Sequence, residues 1–296
     1  MSLVSICIPT YNRRDYLKQA LASVFAQTYK DYEVVVVDDG STDGTGEMIK
    51  QAGYSVRYYC QQNAGDAAAR NRLVELARGQ FISFLDSDDL LIPDAIERMM
   101  TVMDAHSEEV VVYGPYIAID QNGNTCKMKR RKLYSGHIPQ HLFESILVHS
   151  CGSLFPKKIL KEAGGFDTSL PVCSDYALWL RLSLKYRFIA LSKPTFKRRR
   201  HTGSLSKRTF ANRKIELDIL EKFYYDCDGK EFIPRKIAMK RLSKEGYRAG
   251  RCALREGLAE TATSLLAQSF RRYPNFKSFI WWLIAGGRLY PGLSRK

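Results

Sequence analysis

The chain has 296 residues, of which 45% are hydrophobic, 26% charged and 11% aromatic. This composition is typical of a globular protein and excludes a disordered, collagen-like or disulfide-scaffold chain. The formal net charge of +15 is unevenly distributed, because residues 1–196 hold 22 Lys and Arg against 22 Asp and Glu, whereas residues 197–296 hold 24 against 9. We therefore expect a neutral body followed by a basic tail.

The seven cysteines are scattered and include no Cys-x-x-Cys pair. This pattern argues against a disulfide framework or zinc ribbon and indicates a reducing compartment. The residues before Pro9 have neither a basic region nor a cleavage site, which predicts a first strand rather than a signal peptide. No apolar stretch approaches the roughly 20 residues that cross a bilayer. We expect a cytoplasmic protein that either is soluble or lies on the membrane face without spanning it.

The first hundred residues alternate between strand-like and helix-like segments. Continuous apolar or β-branched runs predict strands, and apolar residues at helical spacing predict helices. In chain order we predict strands at 3–8, 33–37, 55–60, 80–85 and 110–113, with helices at 17–25, 42–52, 66–77 and a further one opened by Pro93. This alternation is typical of β-α-β units and of a parallel sheet.

The next segment, from residue 114 to about 205, has a mixed pattern. Residues 121–124 predict a hairpin turn, because Gly and Asn adopt the required backbone conformations. Ser174 is a candidate N-cap for a helix carrying Leu178, Trp179 and Leu182. Beyond about residue 204 the sequence is helical and basic.

Polar residues follow three of the predicted strands, at residues 10–12, 38–43 and 86–89. In an open parallel sheet, ligands bind at the carboxyl ends of the strands. The three clusters therefore predict one shared crevice.

Residues 86–89 contain three aspartates in four positions. Carboxylates this close repel one another unless a cation or hydrogen-bond donors compensate, and such oxygen ligands suit Mg²⁺ or Mn²⁺ bound together with phosphates. The alternative interpretation is a solvated turn that leads into the helix after Pro93. The sequence pattern leaves both open.

Two further segments indicate a ligand site. After the second strand, Ser41 or Thr42 can cap the next helix, which leaves one carboxylate of Asp38 or Asp39 free to accept a hydrogen bond from a nucleoside. In the segment that begins with Gly65, small residues allow a close helix approach, and Arg70 is one turn further on, where it can reach the acidic crevice. Plain helix packing is the alternative interpretation of this segment.

These motifs resemble those of the family 2 glycosyltransferases. The matching segments are PTYNR from Pro9, VDDGSTDGT from Val37, NAGDAAARN from Asn63 and FISFLDSDD from Phe81, in the family's order and spacing. The resemblance is strong over residues 3–115 and moderate to about 205. It implies an α/β fold of the GT-A type, with a Rossmann-like, mostly parallel sheet flanked by helices. The helical basic extension would follow this domain.

The resemblance also implies roles for individual residues. Pro9, Thr10, Tyr11 and Asp39 correspond to positions around the nucleoside base, which is usually uracil. Asn12 and Gly65 belong to the same nucleotide-sugar site, and Arg70 corresponds to an arginine that braces its acidic floor. Asp86, Ser87 and Asp88 match the DXD motif, in which the first aspartate contacts the ribose side and the second ligates the metal.

On the acceptor side, Asp175 corresponds to the general base of inverting members, although Ser174 stands where a glutamate often precedes it. The alternative is a structural role, because a helix dipole favours an aspartate in the first turn and would lower its pKa. His201 stands where many members carry a histidine near the metal, and a surface histidine in a basic loop is the alternative. Asp88 and His201 are therefore the expected metal ligands.

The expected function is metal-dependent, inverting transfer of a sugar from a nucleotide diphosphate donor, with Mn²⁺ or Mg²⁺ as cofactor. The expected donor is a UDP-sugar, and the expected acceptor is a saccharide or a lipid-linked saccharide in surface polysaccharide assembly. One alternative is a non-catalytic protein that binds nucleotide-sugars or polysaccharides. A nucleotidyltransferase is disfavoured, because no glycine-rich loop with a lysine follows the first strand.

We expect a glycosyltransferase domain at residues 1–205, with nucleotide-sugar binding in 1–115 and the acceptor side in 116–205. Residues 206–296 form the basic extension. It can adsorb to an anionic membrane, pack as a solvated surface or bind nucleic acid, and the acidic crevice disfavours nucleic acid. A short interfacial helix is expected from Phe276, Phe279, Ile280, Trp282, Leu283 and Ile284, flanked by Arg271, Arg272, Lys277 and Arg288.

Overall fold

A computed structural model describes residues 4–128, 131–201, 209–274 and 276–286. The chain divides into two compact units. The described residues of the first unit are 4–128, 131–138 and 146–201, and those of the second are 139–145, 209–274 and 276–286. Residues 139–145, which sequence analysis assigned to the first domain, therefore belong to the second unit.

The first unit is built on a seven-stranded sheet and a three-stranded sheet. The strands are β1 (Val4–Thr10), β2 (Tyr32–Asp38), β3 (Arg57–Cys60), β4 (Phe81–Phe84), β5 (Leu90–Leu91), β6 (Val110–Tyr113), β7 (Tyr116–Ile119), β8 (Ser153–Pro156), β9 (Arg187–Ala190) and β10 (Phe196–Arg199). The larger sheet has the order β3-β2-β1-β4-β8-β6-β9, and every pairing in it is parallel except those made by β8. The mostly parallel sheet expected from the sequence is confirmed.

Helices cover this sheet and bury its central strands. They are α1 (Arg14–Phe25), α2 (Thr45–Gln51), α3 (Asp66–Leu76), α4 (Ala95–Asp104), α6 (Lys157–Glu162) and α7 (Ser174–Lys185). Helix α5 (Pro139–Glu144) belongs to the second unit instead. Every residue of β1 is buried, as a strand covered on both faces requires. In α1 the residues at helical spacing, Leu17, Ala20, Leu21 and Val24, are the buried ones.

The smaller sheet has the order β5-β10-β7. Its central strand contains Arg198 and Arg199, which sequence analysis assigned to the basic tail, so that part of the positive charge belongs to the first unit. The turn expected at residues 121–124 is present, because the amide of Asp120 donates to the carbonyl of Asn124 at 2.9 Å.

Three helix starts differ from those predicted. Helix α2 begins at Thr45, so neither Ser41 nor Thr42 caps it, and the Asp43 carboxylate instead accepts from the Thr45 amide at 3.2 Å. Helix α4 begins at Ala95, after Pro93 rather than at it. Helix α7 begins at Ser174 itself, and Cys173 is its N-cap, with a left-handed φ of 61°.

The second unit is helical, as expected for the extension. Besides α5 it contains α8 (Phe210–Asp226), α9 (Gly229–Phe232), α10 (Arg235–Arg255), α11 (Ala259–Arg272) and α12 (Phe276–Ala285). Helices α10 and α11 pack closely where Gly250 faces Leu266, because a Cβ on Gly250 would come within 2.8 Å of the leucine side chain. Within the ranges listed above, no helix is both long and apolar enough to cross a membrane.

Candidate functional site

The three polar clusters lie at the carboxyl ends of three neighbouring strands, β2, β1 and β4. Hydrogen bonds join the loops after β1 and β2. The amide of Asn12 donates to Ser41 Oγ, and the amide of Thr42 donates to Asn12 Oδ1, both at 2.8 Å. Asn12 adopts a left-handed φ of 50°, which an asparagine tolerates better than most residues. The predicted crevice is therefore lined by loops that fix one another.

Neither aspartate after β2 is without partners, in contrast to the free carboxylate expected from the sequence. Asp38 accepts from the Ser41 amide at 2.8 Å and from the Tyr58 hydroxyl at 2.7 Å. Asp39 Oδ1 accepts from Gln61 Nε2 and the Ala64 amide, and Asp39 Oδ2 accepts from the Gly65 amide at 2.8 Å. A carboxylate has about four acceptor positions, so Asp39 keeps one for a ligand, at Oδ2.

The residues at the end of β1 differ in their exposure. Pro9 is buried within the strand, where it lies opposite Val37 of β2. Thr10 is also buried, and its hydroxyl has no hydrogen-bond partner among the residues that the structure describes. Tyr11 is 49% exposed. A buried hydroxyl without a partner beside an exposed aromatic ring is a suitable arrangement for a polar, planar ligand.

Arg70 links the acidic residues of the crevice. Its Nε donates to Asp66 at 2.8 Å and its Nη2 donates to Asp86 at 2.6 Å, while the guanidinium lies over the rings of Phe84 and Phe166. Burial lowers the pKa of Arg70, but Asp66 and Asp86 outweigh burial and hold this pKa well above its usual value. Arg70 is therefore a cation that contacts two carboxylates in the floor of the crevice.

The same contact determines the ionisation of Asp86. Burial raises the pKa of this carboxyl group, but the charge and hydrogen bond of Arg70 outweigh burial and bring the pKa below its usual value. The backbone amide of Asp86 donates to Cys151 Sγ at 2.9 Å. Asp86 is thus ionised and held in place by two neighbours.

Asp88 and His201 lie together, as a shared metal site requires. Asp88 Oδ2 is 2.7 Å from His201 Nε2 and accepts from Arg13 Nη1 at 2.5 Å. The His201 ring packs against Tyr16, with 5.3 Å between ring centroids. His201 is therefore a partly buried member of the crevice rather than a surface histidine.

Arg199 connects β10 to the aspartate loop, residues 86–89. Its amide donates to Asp89 Oδ1 at 2.8 Å, and its Nε donates to the Asp88 carbonyl at 2.9 Å. Asp89 is buried, and burial together with the charges of Asp86 and Asp88 raises its pKa well above the usual value. The raised pKa favours the neutral form of Asp89, whose carboxyl group holds the loop by accepting from the Arg199 amide.

Two sets of donor atoms in the crevice could hold a metal ion. Donor atoms of Asp86, Asp89 and Cys151 lie within 4.8 Å of one another. This set suits Mn²⁺ or Mg²⁺ poorly, because burial raises the pKa of the Cys151 thiol and these hard cations prefer oxygen ligands. Asp88 and His201 offer a carboxylate oxygen and an imidazole nitrogen, which fit Mn²⁺.

Asp175 lies in the first turn of α7. Its Oδ1 accepts from the Tyr176 amide at 2.7 Å, and the Ser150 hydroxyl donates to its Oδ2 at 3.3 Å. Burial raises the pKa of Asp175, the charge of Arg70 opposes this, and the pKa remains above its usual value. The Tyr176 amide favours the ionised carboxylate, as the structural alternative expects, but burial outweighs it. A raised pKa makes the carboxylate a better proton acceptor.

Several residues of the site are missed by sequence reasoning. Ser150 and Cys151 each contact a predicted site residue but carry no motif of their own, and Asp66 lies inside a matching segment, where its contact with Arg70 gives it a place in the site. Arg13 lies inside a matching segment, where its contact with Asp88 gives it a place in the site. Arg199 is hidden in a run of basic residues, and only its burial distinguishes it from a surface arginine. Ser87, by contrast, is a predicted site residue, and it is buried in the loop between Asp86 and Asp88.

Known proteins resemble this chain both in sequence and in fold. The sequence profile of Glycosyl transferase family 2 matches residues 5–164, more than half of the chain. An uncharacterized glycosyltransferase of Rickettsia conorii is 32% identical over 243 residues, which are 78% of this chain and 40% of that protein. The chain thus spans well under half the length of this relative.

Solved structures share the fold at low identity. S. aureus TarS in complex with UDP-GlcNAc has a TM-score of 0.67 and 18% identity, over 98% of this chain and 92% of that one. The mannosyltransferase PcManGT from Pyrobaculum calidifontis, in complex with GDP-Man and Mn²⁺, has a TM-score of 0.57 and 19% identity, over 98% and 88%. The family resemblance and the GT-A fold expected from the sequence are both confirmed.

Proposed function

Because the chain belongs to glycosyl transferase family 2, we propose that it transfers a sugar from a nucleotide diphosphate donor to an acceptor hydroxyl, with inversion at the anomeric carbon. The observation that carries the proposal is the convergence of two chemistries in one crevice. Asp86, Asp88 and His201 supply a charged floor for the donor, and Asp175 supplies a proton acceptor whose ionisation is coupled to Arg70.

On the donor side, the base would lie near Tyr11 and Thr10. The half-exposed ring of Tyr11 can stack on a planar base, and the Thr10 hydroxyl, which has no partner within the described part of the chain, can form a hydrogen bond. Asp39 accepts from the Gly65 amide and keeps one further acceptor position at Oδ2 for the donor. This arrangement supports the assignment of Pro9, Thr10, Tyr11, Asn12, Asp39 and Gly65 to nucleotide binding.

We assign the base as uracil, so the proposed donor is a UDP-sugar. TarS is in complex with UDP-GlcNAc and PcManGT with GDP-Man, so neighbours with this fold take different nucleotides. The uracil assignment therefore rests on the positions around Asp39 that match the family.

On the phosphate side, Asp88 and His201 would hold Mn²⁺ or Mg²⁺. Such a cation would stabilise the negative charge that develops on the departing diphosphate. Asp86, held by Arg70, would orient the ribose side of the donor. The fixed floor contributes mainly by positioning, since a well-oriented bound donor needs little further ordering to react.

On the acceptor side, Asp175 would act as the general base. Its carboxylate would take the proton of the acceptor hydroxyl while the acceptor oxygen bonds to the anomeric carbon and the bond from that carbon to the diphosphate breaks. The raised pKa of Asp175 suits this role. The proposed acceptor is a saccharide or a lipid-linked saccharide in surface polysaccharide assembly.

Calorimetry with UDP, dTDP and GDP, each with Mn²⁺ and again with a chelator, tests the donor assignment. UDP binding that disappears with the chelator in the parent chain, and that is weak in Asp88→Asn, would support the UDP-sugar and metal assignments. Equal binding of all three nucleotides would remove the uracil assignment. Absence of any metal-dependent binding would remove the proposed enzyme function, and binding without transfer would favour the alternative of a nucleotide-sugar-binding protein.

For the C-terminal unit we propose reversible attachment to an anionic membrane on the cytoplasmic side. In α12, Phe276 is 78% exposed and Phe279 is 37% exposed, whereas Ser278 and Ala285 are buried, so the helix presents aromatic side chains to solvent. Arg271 and Lys277 are exposed nearby along the chain, and each cation close to an anionic surface contributes about 1 kcal/mol. Arg288, which sequence analysis added to this cluster, lies outside the described residues.

Vesicle flotation tests this attachment. We expect the chain to bind vesicles that contain anionic phosphatidylglycerol at low salt, and Phe276→Ser to weaken this binding several-fold. Phe232→Ser is the matched control, since Phe232 is 41% exposed in another helix of the same unit. No binding at low salt, or equal losses in the two variants, would contradict the proposal.

A further inference from the structure

Arg13 occupies the position between the two proposed metal ligands. Its Nη1 lies 2.5 Å from Asp88 Oδ2 and 2.9 Å from His201 Nε2, while these two atoms are 2.7 Å from each other. The three atoms form a compact triangle, and two of its corners are the atoms that would bind a divalent cation. A guanidinium therefore supplies positive charge where the metal ion would supply it.

A divalent cation and this guanidinium would compete for the same two atoms. A cation held by Asp88 Oδ2 and His201 Nε2 would add two positive charges beside Arg13 Nη1, which already contacts both atoms, and would repel the guanidinium. Metal binding at this site consequently requires the Arg13 side chain to move.

The two ligands have supports that do not involve Arg13. The Asp88 carbonyl accepts from Arg199 Nε at 2.9 Å, and the neighbouring Asp89 accepts from the Arg199 amide. His201 packs on Tyr16. Displacement of the Arg13 side chain would therefore leave Asp88 and His201 in place for a metal ion.

The backbone of Arg13 is fixed although its side chain reaches the surface. Arg13 is the N-cap of α1 and follows the left-handed residue Asn12, and its carbonyl accepts from the Leu17 amide at 2.8 Å. Its side chain is 20% exposed. The side chain can therefore change rotamer without any change in the loop.

We propose that Arg13 is a resident counter-ion of the metal site, which a divalent cation displaces and which then pairs with the diphosphate of the donor. This inference rests on the proposed function, because it takes Asp88 and His201 as the metal ligands. A guanidinium forms paired hydrogen bonds with phosphate oxygens, so the diphosphate offers Arg13 a replacement for Asp88. Metal and nucleotide would then each favour binding of the other.

Mn²⁺ binding, followed by the electron paramagnetic resonance signal of the free ion, tests the inference without an activity assay. In the unsubstituted chain we expect weak binding of Mn²⁺ alone and at least about tenfold tighter binding with UDP. In Arg13→Gln we expect binding of Mn²⁺ alone to tighten by about tenfold and the effect of UDP to shrink by a similar factor. Arg13→Lys keeps the charge and should retain weak binding of Mn²⁺ alone.

Arg14→Gln is the matched control, because it removes the same charge from the adjacent, exposed residue. Its Mn²⁺ affinity should stay within about twofold of the unsubstituted chain, since exposed charges are strongly screened. Circular dichroism of each variant confirms folding.

Two contrary results have different meanings. UDP-dependent Mn²⁺ binding that Asp88→Asn abolishes, combined with unchanged or weaker binding of Mn²⁺ alone in Arg13→Gln, would overturn the role of Arg13 and leave the proposed function standing. No Mn²⁺ binding by any form, with or without UDP, would overturn both.

Discussion

Replacement of Arg70 by glutamine should destabilise the first unit more than any surface substitution on the same helix. Arg70 is 6% exposed and is paired with Asp66 at 2.8 Å and Asp86 at 2.6 Å. Glutamine is shorter and uncharged, so both carboxylates would lose their cation. Asp175 would also lose the charge that opposes the burial effect on its pKa.

The exposure of the two partners sets the expected magnitude. Loss of one partner from a fully buried ion pair costs about 3–5 kcal/mol, because the remaining charge has no compensation. Here the side chains of Asp66 and Asp86 are 37% and 40% exposed, so water can solvate the carboxylates that remain. We therefore expect Arg70→Gln to lower the free energy of unfolding by about 2–3 kcal/mol.

Urea denaturation followed by circular dichroism measures this loss. Arg72→Gln is the control on the same helix, since Arg72 pairs with Glu75 at 2.9 Å and both side chains are more than half exposed. That substitution should cost less than about 0.5 kcal/mol. Equal losses in the two variants, or a loss below about 1 kcal/mol in Arg70→Gln, would refute the argument from buried charge.

The same substitution should change the pH dependence of transfer. Arg70 lowers the pKa of Asp175 against the effect of burial, so its removal should raise that pKa further. A general base must be ionised, and the rate therefore falls as the pH drops through its pKa. The acidic limb of the profile of kcat against pH should move to higher pH in Arg70→Gln, and an unmoved limb would show that Asp175 is not the group that titrates.

The remaining predictions concern single carboxylates. Asp175→Asn should reduce transfer by about 10²–10⁴-fold in single-turnover assays, with calorimetric UDP binding nearly unchanged, and retained transfer would exclude Asp175 as the base. Asp39→Asn should lower the free energy of unfolding by about 1–3 kcal/mol in urea, because an amide nitrogen cannot accept from the Gly65 amide. For Glu33, burial raises the pKa, but hydrogen bonds from Ser5, Arg78 and Arg57 outweigh burial and lower it. The contribution of Glu33 to stability is therefore complete above its unfolded-state pKa and is lost as the pH falls through its folded-state pKa. The stability difference between the parent chain and Glu33→Gln should therefore shrink on acidification in thermal unfolding, and a constant difference would contradict this.

The parallel sheet and its crevice could be predicted because their signals are local. Strand β1 is mostly apolar and β2 contains four consecutive valines, and polar clusters follow these apolar residues directly along the chain. Once such strands are taken as parallel neighbours, their carboxyl ends must meet at one edge. The contact of Asn12 with Ser41 joins two of these neighbouring loops, whereas the contact of Arg13 with Asp88 depends on side-chain positions that the strand order does not give.

Strand β10 could not be predicted in the same way, because its evidence lies far away in the sequence. Its residues Lys197, Arg198 and Arg199 have the composition of a solvated surface. Arg199 becomes recognisable as a buried residue only through the carbonyl of Asp88 and the carboxylate of Asp89, more than a hundred positions earlier. Hydropathy along the chain does not indicate contacts between residues that are so far apart in the sequence.

The start of α7 illustrates the same limit on a smaller scale. Ser174 has the sequence character of an N-cap, but the helix includes Ser174 and begins after Cys173, which adopts a left-handed backbone conformation. A non-glycine residue in this conformation is unfavourable and persists only where the surrounding structure imposes it. Its effect is to place Asp175 in the first turn, where the Ser150 hydroxyl reaches it.

The three aspartates of the loop at residues 86–89 have different partners, and this difference indicates which of them can take part in exchange. Asp86 is held by Arg70, which is buried among aromatic rings, and Asp89 is buried against the backbone of Arg199. Asp88 alone among the three pairs with a surface-reaching arginine and an imidazole. A metal ion needs a ligand whose existing partner can leave, because displacement of a buried partner would expose an uncompensated charge. Of the three carboxylates, Asp88 is therefore the one suited to exchange a protein cation for a metal ion, and its neighbours keep it in position while it does so.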